Sequence, residues 1–171
     1  MDPRELSKIL EAHRRYLFDL KDGVRANLRG ANLEKETLDR YFPQCCPDTG
    51  EFIGWKKVWI VIPDEHSVCR RIGTAIVKLQ ITENAKRSSA FGRKCRCSEA
   101  MVLDIIPNKE AIKSLSEVAL MRFCSSQDIH FEYRLGDIVK VDDFDEDRTH
   151  ECAPGIHFFI TRKEAEDYVL C

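Results

Sequence analysis

Residues 144–162 read FDEDRTHECAPGIHFFITR and join an acidic run to an apolar segment through a Pro-Gly turn. Residues 155–160 have the aromatic and β-branched composition of a strand. Thr161 is followed three residues later by Glu164, the spacing of a capping box, so a final helix is expected through Tyr168. The stretch therefore predicts a strand followed by a C-terminal helix. The rest of the chain is expected to supply a scaffold for this stretch and basic residues that complement its acidic run.

Further elements are predicted upstream of this stretch. Asp2, Pro3 and Glu5 form a helix start, and an apolar stripe at helical spacing continues to Leu20. The secondary structure of residues 108–123 stays ambiguous, and a helix capped by Asn108 is one possibility. Alternating or β-branched segments predict strands at 53–62, 74–81, 100–106, 131–135 and 138–141, with the last two paired as a hairpin. The fold class expected is α+β: a mixed, largely antiparallel sheet with an N-terminal helix and a C-terminal helix.

A period of five residues occupies positions 26–40, which read ANLRG, ANLEK and ETLDR with a leucine at each centre. This resembles the pentapeptide-repeat pattern, but three copies cannot bury a solenoid core, so we interpret them as a remnant. Pro43, Pro47 and the turn residues 48–50 indicate a boundary. We therefore predict an N-terminal helix plus degenerate repeat over residues 1–50 and an α+β domain over residues 51–171.

The composition narrows the class of protein. Of 171 residues, 43% are hydrophobic and 33% charged, which suits a folded core with a solvated surface. No run approaches the length of a membrane span, and no secretory signal is visible at the N-terminus, so no membrane partner and a cytoplasmic location are expected. The eight cysteines are then expected to be reduced and mostly buried.

Residues 86–96 form the most basic segment of the chain and carry no acidic residue. Arginine forks, hydroxyls and free backbone N–H groups are what a phosphate or carboxylate needs. The net charge of −2 and the short patch argue against duplex nucleic acid. Two other roles for this basic segment remain as alternatives: it could be a solvated loop, or it could be an internal partner for the acidic run. The predicted ligand-binding residues are Lys56, Arg87, Ser88, Ser89, Arg93, Lys94, Arg96, Arg148 and His157, with Trp55 or Phe91 stacking on a base.

The acidic run and its neighbours suggest weaker alternatives. Asp143, Asp145 and Asp147 have the spacing of a calcium loop, but Arg148 replaces its glycine and Pro154 its final glutamate. The cysteines lack zinc spacing, so no metal and no cofactor are predicted. Some of the carboxylates are expected to pair with Arg148 or with the basic segment. Cys152 and His157 are weak catalytic candidates, because a thiolate nucleophile needs a nearby base. His157 could equally be structural or contact a ligand.

From about residue 53 to residue 168, the chain resembles an uncharacterised domain found at the C-terminus of bacterial and phage pentapeptide-repeat proteins. The segments that carry the resemblance are GWK at 54–56, IVKL at 76–79, AKRSSA with RKCR at 85–96, and FDEDR with GIHFFITR at 144–162. The N-terminal helix and the repeat remnant also resemble the entry to such proteins, although the solenoid is almost absent. The resemblance implies an architecture and no established activity.

We expect from these observations a cytoplasmic binding module for an anionic ligand, such as a nucleotide or a nucleotide-derived signal that a phage or bacterial protein sequesters. One alternative is a transferase that uses a nucleotide cofactor, because the strand–helix step at 155–168 is similar to that of ADP-ribosyltransferase folds. Another is a protein-interaction domain that forms homo-oligomers through its N-terminal segment. Binding is favoured over catalysis.

Overall fold

The computed structural model describes residues 3–18, 20–27, 42–64, 67–108, 118–148 and 150–170. Their elements confirm the α+β class, with one helix near each end of the chain and a sheet between them. The helices are α1 (Pro3–Leu17) and α2 (Arg162–Asp167). The strands are β1 (Phe52–Ile62), β2 (Arg70–Ile81), β3 (Arg87–Ser89), β4 (Lys94–Cys97), β5 (Glu99–Pro107), β6 (Arg122–Cys124), β7 (Ile138–Lys140) and β8 (Ile156–Phe159).

Strand β1 lies at the centre of the sheet. The strand order is β3-β4-β8-β1-β2-β5-β7, and every pairing among the described strands is antiparallel. One edge of β1 pairs with β2 along its length. The other edge is divided, because β8 pairs at Trp55 and β6 pairs only from Trp59 onward. Residues 56–58 therefore have no strand partner on that edge within the described part of the chain.

The face of β1 that points into the core follows from its alternation. Gly54, Val58 and Ile60 are buried in phase, and Lys56 is buried in the same phase. Gly54 is required by close packing, since a Cβ there would lie 2.6 Å from Cδ2 of Phe158 on β8. The phenylalanine ring of β8 can therefore cross directly over β1 and join the main core.

Helix α1 packs through a smaller cluster that includes Leu10, Leu17 and Phe42. His13 is buried on this face, where its Nδ1 accepts a hydrogen bond from the Ala26 N–H at 3.0 Å. Its Nε2 then carries the proton and donates to the Phe91 carbonyl at 2.9 Å. Burial lowers the pKa of His13. The histidine is thus a neutral structural link between α1 and the sheet.

The capping box predicted at the start of the last helix is confirmed. The Thr161 hydroxyl accepts a hydrogen bond from the Glu164 N–H at 3.3 Å, and the Glu164 carboxylate accepts one from the Thr161 N–H at 3.1 Å. Only two residues, Ile160 and Thr161, separate the end of β8 from the start of the helix. Strand and helix are therefore nearly continuous, as the sequence predicted.

Three local predictions require revision. The basic segment is a β-hairpin, in which Ser88 of β3 faces Arg96 of β4, and not a loop. Residues 131–135 form a single bridge, Cys124 to Glu132, and not a strand. Strand β7 pairs with β5, at Ala100 to Val139, so the predicted hairpin is wrong. Only β7 finds a partner distant in sequence, because β3 and β4 pair across a short turn and the bridge joins positions eight residues apart. Residues 28–40 of the repeat at 26–40, and residues 109–117 of the ambiguous segment at 108–123, lie outside the described residues. The end of that ambiguous segment enters strand β6 at Arg122.

The cysteines in the described part of the chain carry free thiols. Cys46, Cys95, Cys97 and Cys124 are buried, as expected for small apolar side chains, whereas Cys152 is exposed. Among the described residues, no group of three or more His, Cys, Asp or Glu side chains is arranged to hold a metal ion. Within the same residues, no helix has the length and apolar content needed to cross a membrane.

Candidate functional site

Arg87 of the basic hairpin is bound by backbone carbonyls. Its guanidinium donates hydrogen bonds to Ala85 at 3.0 Å and to Gly50, Thr82 and Glu83 at 2.8 Å each. Three of these carbonyls lie in the turn between β2 and β3, and the fourth lies in the segment before β1. The guanidinium of Arg87 therefore joins this turn to the segment before β1 and offers few donors to a ligand.

Arg96 is buried and fastens the acidic segment to the hairpin. Its guanidinium donates to the carbonyls of Asp145 at 2.8 Å, of Pro154 at 3.0 Å and of Asp147 at 3.0 Å. The guanidinium also lies 5.2 Å from the centre of the Phe144 ring. The acidic segment thus binds the Arg96 guanidinium through its backbone carbonyls, and its carboxylates do not accept these hydrogen bonds.

One of those carboxylates belongs to an exposed pair. Asp145 accepts a hydrogen bond from the His150 ring at 2.8 Å. This contact lowers the pKa of Asp145 and raises the pKa of His150. Glu146 pairs with Lys86 at the start of the hairpin. The acidic run therefore contributes to local ion pairs at the surface of the hairpin.

Arg93 joins the two ends of the chain. It forms an ion pair with Glu164 of α2 and donates a hydrogen bond to the Leu17 carbonyl of α1 at 2.6 Å. Arg148 has a comparable role, because its guanidinium donates to the Phe42 carbonyl. Both arginines connect the α1 region to the sheet.

The predicted hydroxyl and stacking residues lie apart from one another. The Ser89 hydroxyl accepts a hydrogen bond from the Cys45 N–H at 2.9 Å. The Ser88 hydroxyl is buried and has no hydrogen-bond partner among the described residues. Phe91 packs edge-on against Phe42, with ring centres 5.6 Å apart. Trp55 lies on the outer face of β1, so these four residues do not surround one ligand site.

A cavity of about 340 Å³ opens where β8 and β6 separate along β1. We call it the lysine cavity. It is bordered by Lys56 and Lys57 of β1, by Lys94 of β4, by residues 125–127 after β6, by residues 152–155 and His157, and by Phe159, Tyr168 and Leu170. No acidic side chain lines it among the described residues. The cavity is therefore electropositive and lies at the lower end of the volume range of small-molecule sites.

Lys56 is the most buried polar group of the lysine cavity, with 7% of its surface exposed. Its Nζ donates a hydrogen bond to the His157 carbonyl at 3.0 Å. Burial, and after it the neighbouring Lys94 charge, lowers the pKa of Lys56 to about 8. Near neutral pH this lysine is thus much closer to losing its proton than an exposed lysine.

His157 lies beside these lysines on β8. Its Nε2 is 3.3 Å from the Glu151 carbonyl, which can only accept, so in the neutral ring Nε2 carries the proton and Nδ1 does not. Burial, followed by the charges of Lys94 and Lys56, lowers the pKa of His157 to about 4. The ring is therefore neutral at physiological pH. Cys152 lines the same cavity from the opposite side of the Pro-Gly turn.

The other two lysines of the cavity differ in their contacts. The Lys57 ammonium donates to the carbonyls of Glu166 at 2.8 Å and Tyr168 at 2.9 Å, so it satisfies the C-terminal end of α2. The Lys94 ammonium lies 5.6 Å from the centre of the Tyr168 ring and forms no ion pair among the described residues. Lys94 is the cation best placed to meet an anion entering the cavity.

A second cavity, of about 590 Å³, lies between the basic hairpin and the acidic segment. Its lining mixes Lys86 and Arg87 with Asp48, Glu83 and Glu146, and the arginine donors there already bind carbonyls. Positive and negative charges offset each other, so this cavity is less suited to an anion than the lysine cavity.

The structure brings together four of the residues singled out in the sequence: Lys56, Lys94, Cys152 and His157. Arg87, Ser88, Ser89, Arg93, Arg96, Arg148, Trp55 and Phe91 do not line the same cavity. Lys57, Tyr168 and residues 125–127 were missed. For Lys56, which the sequence did single out, the burial also has a signal, because this lysine stands in phase with the core residues Val58 and Ile60 of a predicted strand. Nothing in the sequence placed residues 125–127 beside them.

Comparison with known proteins adds a family and no activity. No curated protein and no solved structure matches the chain. One family model matches residues 42–165, a range that covers the whole sheet and the capping box. The chain therefore belongs to the family of unknown function DUF5758.

Proposed function

We propose that this protein is a binding module for a small anionic ligand, which it holds in the lysine cavity. The observation that carries the proposal is the charge of the lining: Lys56 and Lys94 border the cavity, and no described acidic residue does. A partly enclosed ammonium pair attracts an anion more strongly than exposed lysines do, because the protein around it screens less than water. Lys94 is expected to meet the anionic group, since its ammonium has no carboxylate partner among the described residues.

A nucleotide is one ligand of this class. Phe159 and Tyr168 line the cavity with their ring centres 5.3 Å apart, so they offer an aromatic surface on which a base can stack. Trp55 and Phe91 face other surroundings, so the stacking role moves to this pair in the proposal. A cytoplasmic location and a role in sequestering a nucleotide-derived signal, in a phage or bacterial host, belong to the same proposal. They rest on the resemblance to domains of pentapeptide-repeat proteins.

Calorimetry and thermal-shift measurements test the proposal with inorganic phosphate, AMP, ATP and NAD as probes. Stabilisation of the wild-type chain is expected with at least one phosphate-bearing probe. In Lys94→Ala the affinity is expected to fall about tenfold or more, the equivalent of losing one charged hydrogen bond. Lys163→Ala is the matched control, because Lys163 is an exposed lysine of α2 with 81% of its side chain accessible.

Two results would contradict the proposal: no stabilisation by any of the four probes, or equal binding by wild type and Lys94→Ala. Recovery of NAD with unchanged mass after incubation is the result expected of a binding module. Turnover of NAD would favour the transferase alternative. Light scattering on the full chain tests the homo-oligomer, which stays a prediction.

A further inference from the structure

Lys56 forms the inner wall of the lysine cavity. It stands in phase with Val58 and Ile60 on the face of β1 that points into the core, and only 7% of its surface is exposed to solvent. Its Nζ donates one hydrogen bond, to the His157 carbonyl at 3.0 Å. The Tyr133 ring lies behind it, 5.9 Å from Nζ to the ring centre. The amine is thus held by one backbone acceptor at the boundary between core and cavity.

A lysine in such surroundings usually has a carboxylate partner, because an unpaired buried ammonium is costly. Within the described ranges, Lys56 has none, and the charge that acts most strongly on its pKa is the ammonium of Lys94. Burial and a like charge both favour the neutral amine, which is consistent with the lowered pKa. A neutral amine has a free electron pair. A desolvated lysine next to a second cation is one of the ways in which proteins activate this nucleophile.

We infer that Lys56 captures the carbonyl group of the anionic ligand as an imine, so the ligand is a small oxo acid or a phosphorylated aldehyde. The inference rests on the proposed function, and it adds a covalent step and a substrate class to it. Lys94 binds the carboxylate or phosphate and brings the carbonyl carbon to Lys56. The cavity volume of about 340 Å³ suits a compact molecule of this kind.

The step requires no oxidant or reductant. The electron pair of Nζ forms a bond to the carbonyl carbon, and a proton moves from nitrogen to the carbonyl oxygen to give a carbinolamine. The C–O bond then breaks, the oxygen leaves as water with a second proton from nitrogen, and a C=N bond remains.

Lys57 supplies an internal control for this chemistry. It is the next residue of β1 and lines the same cavity, but its ammonium donates to the carbonyls of Glu166 and Tyr168. Two backbone carbonyls hold the Lys57 ammonium at the C-terminal end of α2, so Lys57 is not expected to act as a nucleophile. Selectivity for Lys56 over Lys57 therefore separates the proposed site from general reactivity of lysines.

The experiment incubates the full chain with glyoxylate or with glycolaldehyde phosphate in the presence of sodium cyanoborohydride. Peptide mass spectrometry then locates the reduced adduct. Lys56 is expected to be labelled about tenfold faster than Lys57 or the exposed Lys163, and inorganic phosphate is expected to slow the reaction. Glycolaldehyde, which carries no charge, is expected to label Lys56 about tenfold less than its phosphate. A preference between the carboxylate and phosphate probes identifies the anionic group.

Lys56→Met tests the position, since methionine fills the same length of buried chain without an amine. This variant is expected to lose the adduct. Lys94→Ala retains Lys56 and is expected to reduce labelling about tenfold, which keeps the test valid if Lys56→Met folds poorly. Equal labelling of Lys56, Lys57 and Lys163 would overturn the inference, as would equal labelling by glycolaldehyde and its phosphate. Phosphate binding without any adduct overturns the imine and leaves the proposed function intact. Neither binding nor adduct overturns both.

Discussion

The basic hairpin and the lysine cavity both concentrate positive charge, but they use it differently. In the hairpin, Arg87 and Arg96 direct their guanidinium groups into backbone carbonyls. In the cavity, Lys56 and Lys94 border open space without a carboxylate partner among the described residues. A planar guanidinium with five donors can bind several fixed acceptors at once, whereas an ammonium is a compact charge. The comparison shows that the density of cations along a sequence does not reveal which of them can meet a ligand.

Arg96→Met is expected to have the largest effect on stability. The substitution leaves the carbonyls of Asp145, Asp147 and Pro154 without their donor, so the free energy of unfolding should fall by about 3 kcal/mol or more. Urea denaturation measures the change. Arg162→Met is the control, because Arg162 is about half exposed and its ion pair with Glu166 is a surface pair within α2, and it should cost less than about 0.5 kcal/mol. A cost for Arg96→Met below that of the control would show that the arginine is not structural.

The ion pair between Arg93 and Glu164 is expected to have the second-largest effect. The side chains are 12% and 23% exposed, so a double-mutant cycle with Arg93→Ala and Glu164→Gln should give a coupling free energy of about 2 kcal/mol. The exposed pair of Lys163 and Asp167 on the same helix should give under about 0.5 kcal/mol. Similar coupling in both cycles would remove the distinction between buried and exposed charge in this protein.

Acid pH is expected to destabilise the fold through His157. The pKa of its imidazole is about 4 in the folded state, below the ordinary value of 6.5, so the unfolded state binds more protons between these two values. Stability from this group is therefore complete above pH 6.5 and is lost as the pH falls toward 4. The loss should reach about 1 kcal/mol by pH 5.5. Urea midpoints from pH 7 to pH 5 measure it. The slope should become smaller in His157→Gln and stay unchanged in His130→Gln, at an exposed position.

Lys56→Met is expected to have the smallest effect on stability and gives the sharpest contrast with Arg96→Met. Both substitutions replace a buried cation with the same apolar side chain. Lys56, however, makes one hydrogen bond and has no carboxylate partner among the described residues, so removal of its charge offsets the lost bond. The free energy of unfolding should change by less than about 1 kcal/mol. A loss as large as that for Arg96→Met would mean that Lys56 is held for structure and would weaken the proposed site.

Some features of the fold were open to prediction because they depend on neighbours along the chain. The aromatic and β-branched composition at 53–62 predicted β1, and the pair of Thr161 and Glu164 predicted the start of α2. The hairpin expected between 131–135 and 138–141 failed for the opposite reason. Strand β7 finds its hydrogen-bond partners on β5, about forty positions earlier in the chain, and a local pattern does not specify such a partner.

The candidate site likewise combines features that depend on neighbours along the chain with features that depend on distant partners. The sequence determined the helix caps, the central strand and the presence of a lysine in phase with core residues, since each follows from residues a few positions apart. The availability of charge depended on packing: Arg96 meets carbonyls 49 to 58 positions away, and the lysine cavity exists because β8 and β6 divide one edge of β1. A hydrogen-bond donor is satisfied by whatever acceptor the folded chain places within reach. That placement is a property of the tertiary structure, and it separates the structural arginines of this protein from the lysines of the proposed site.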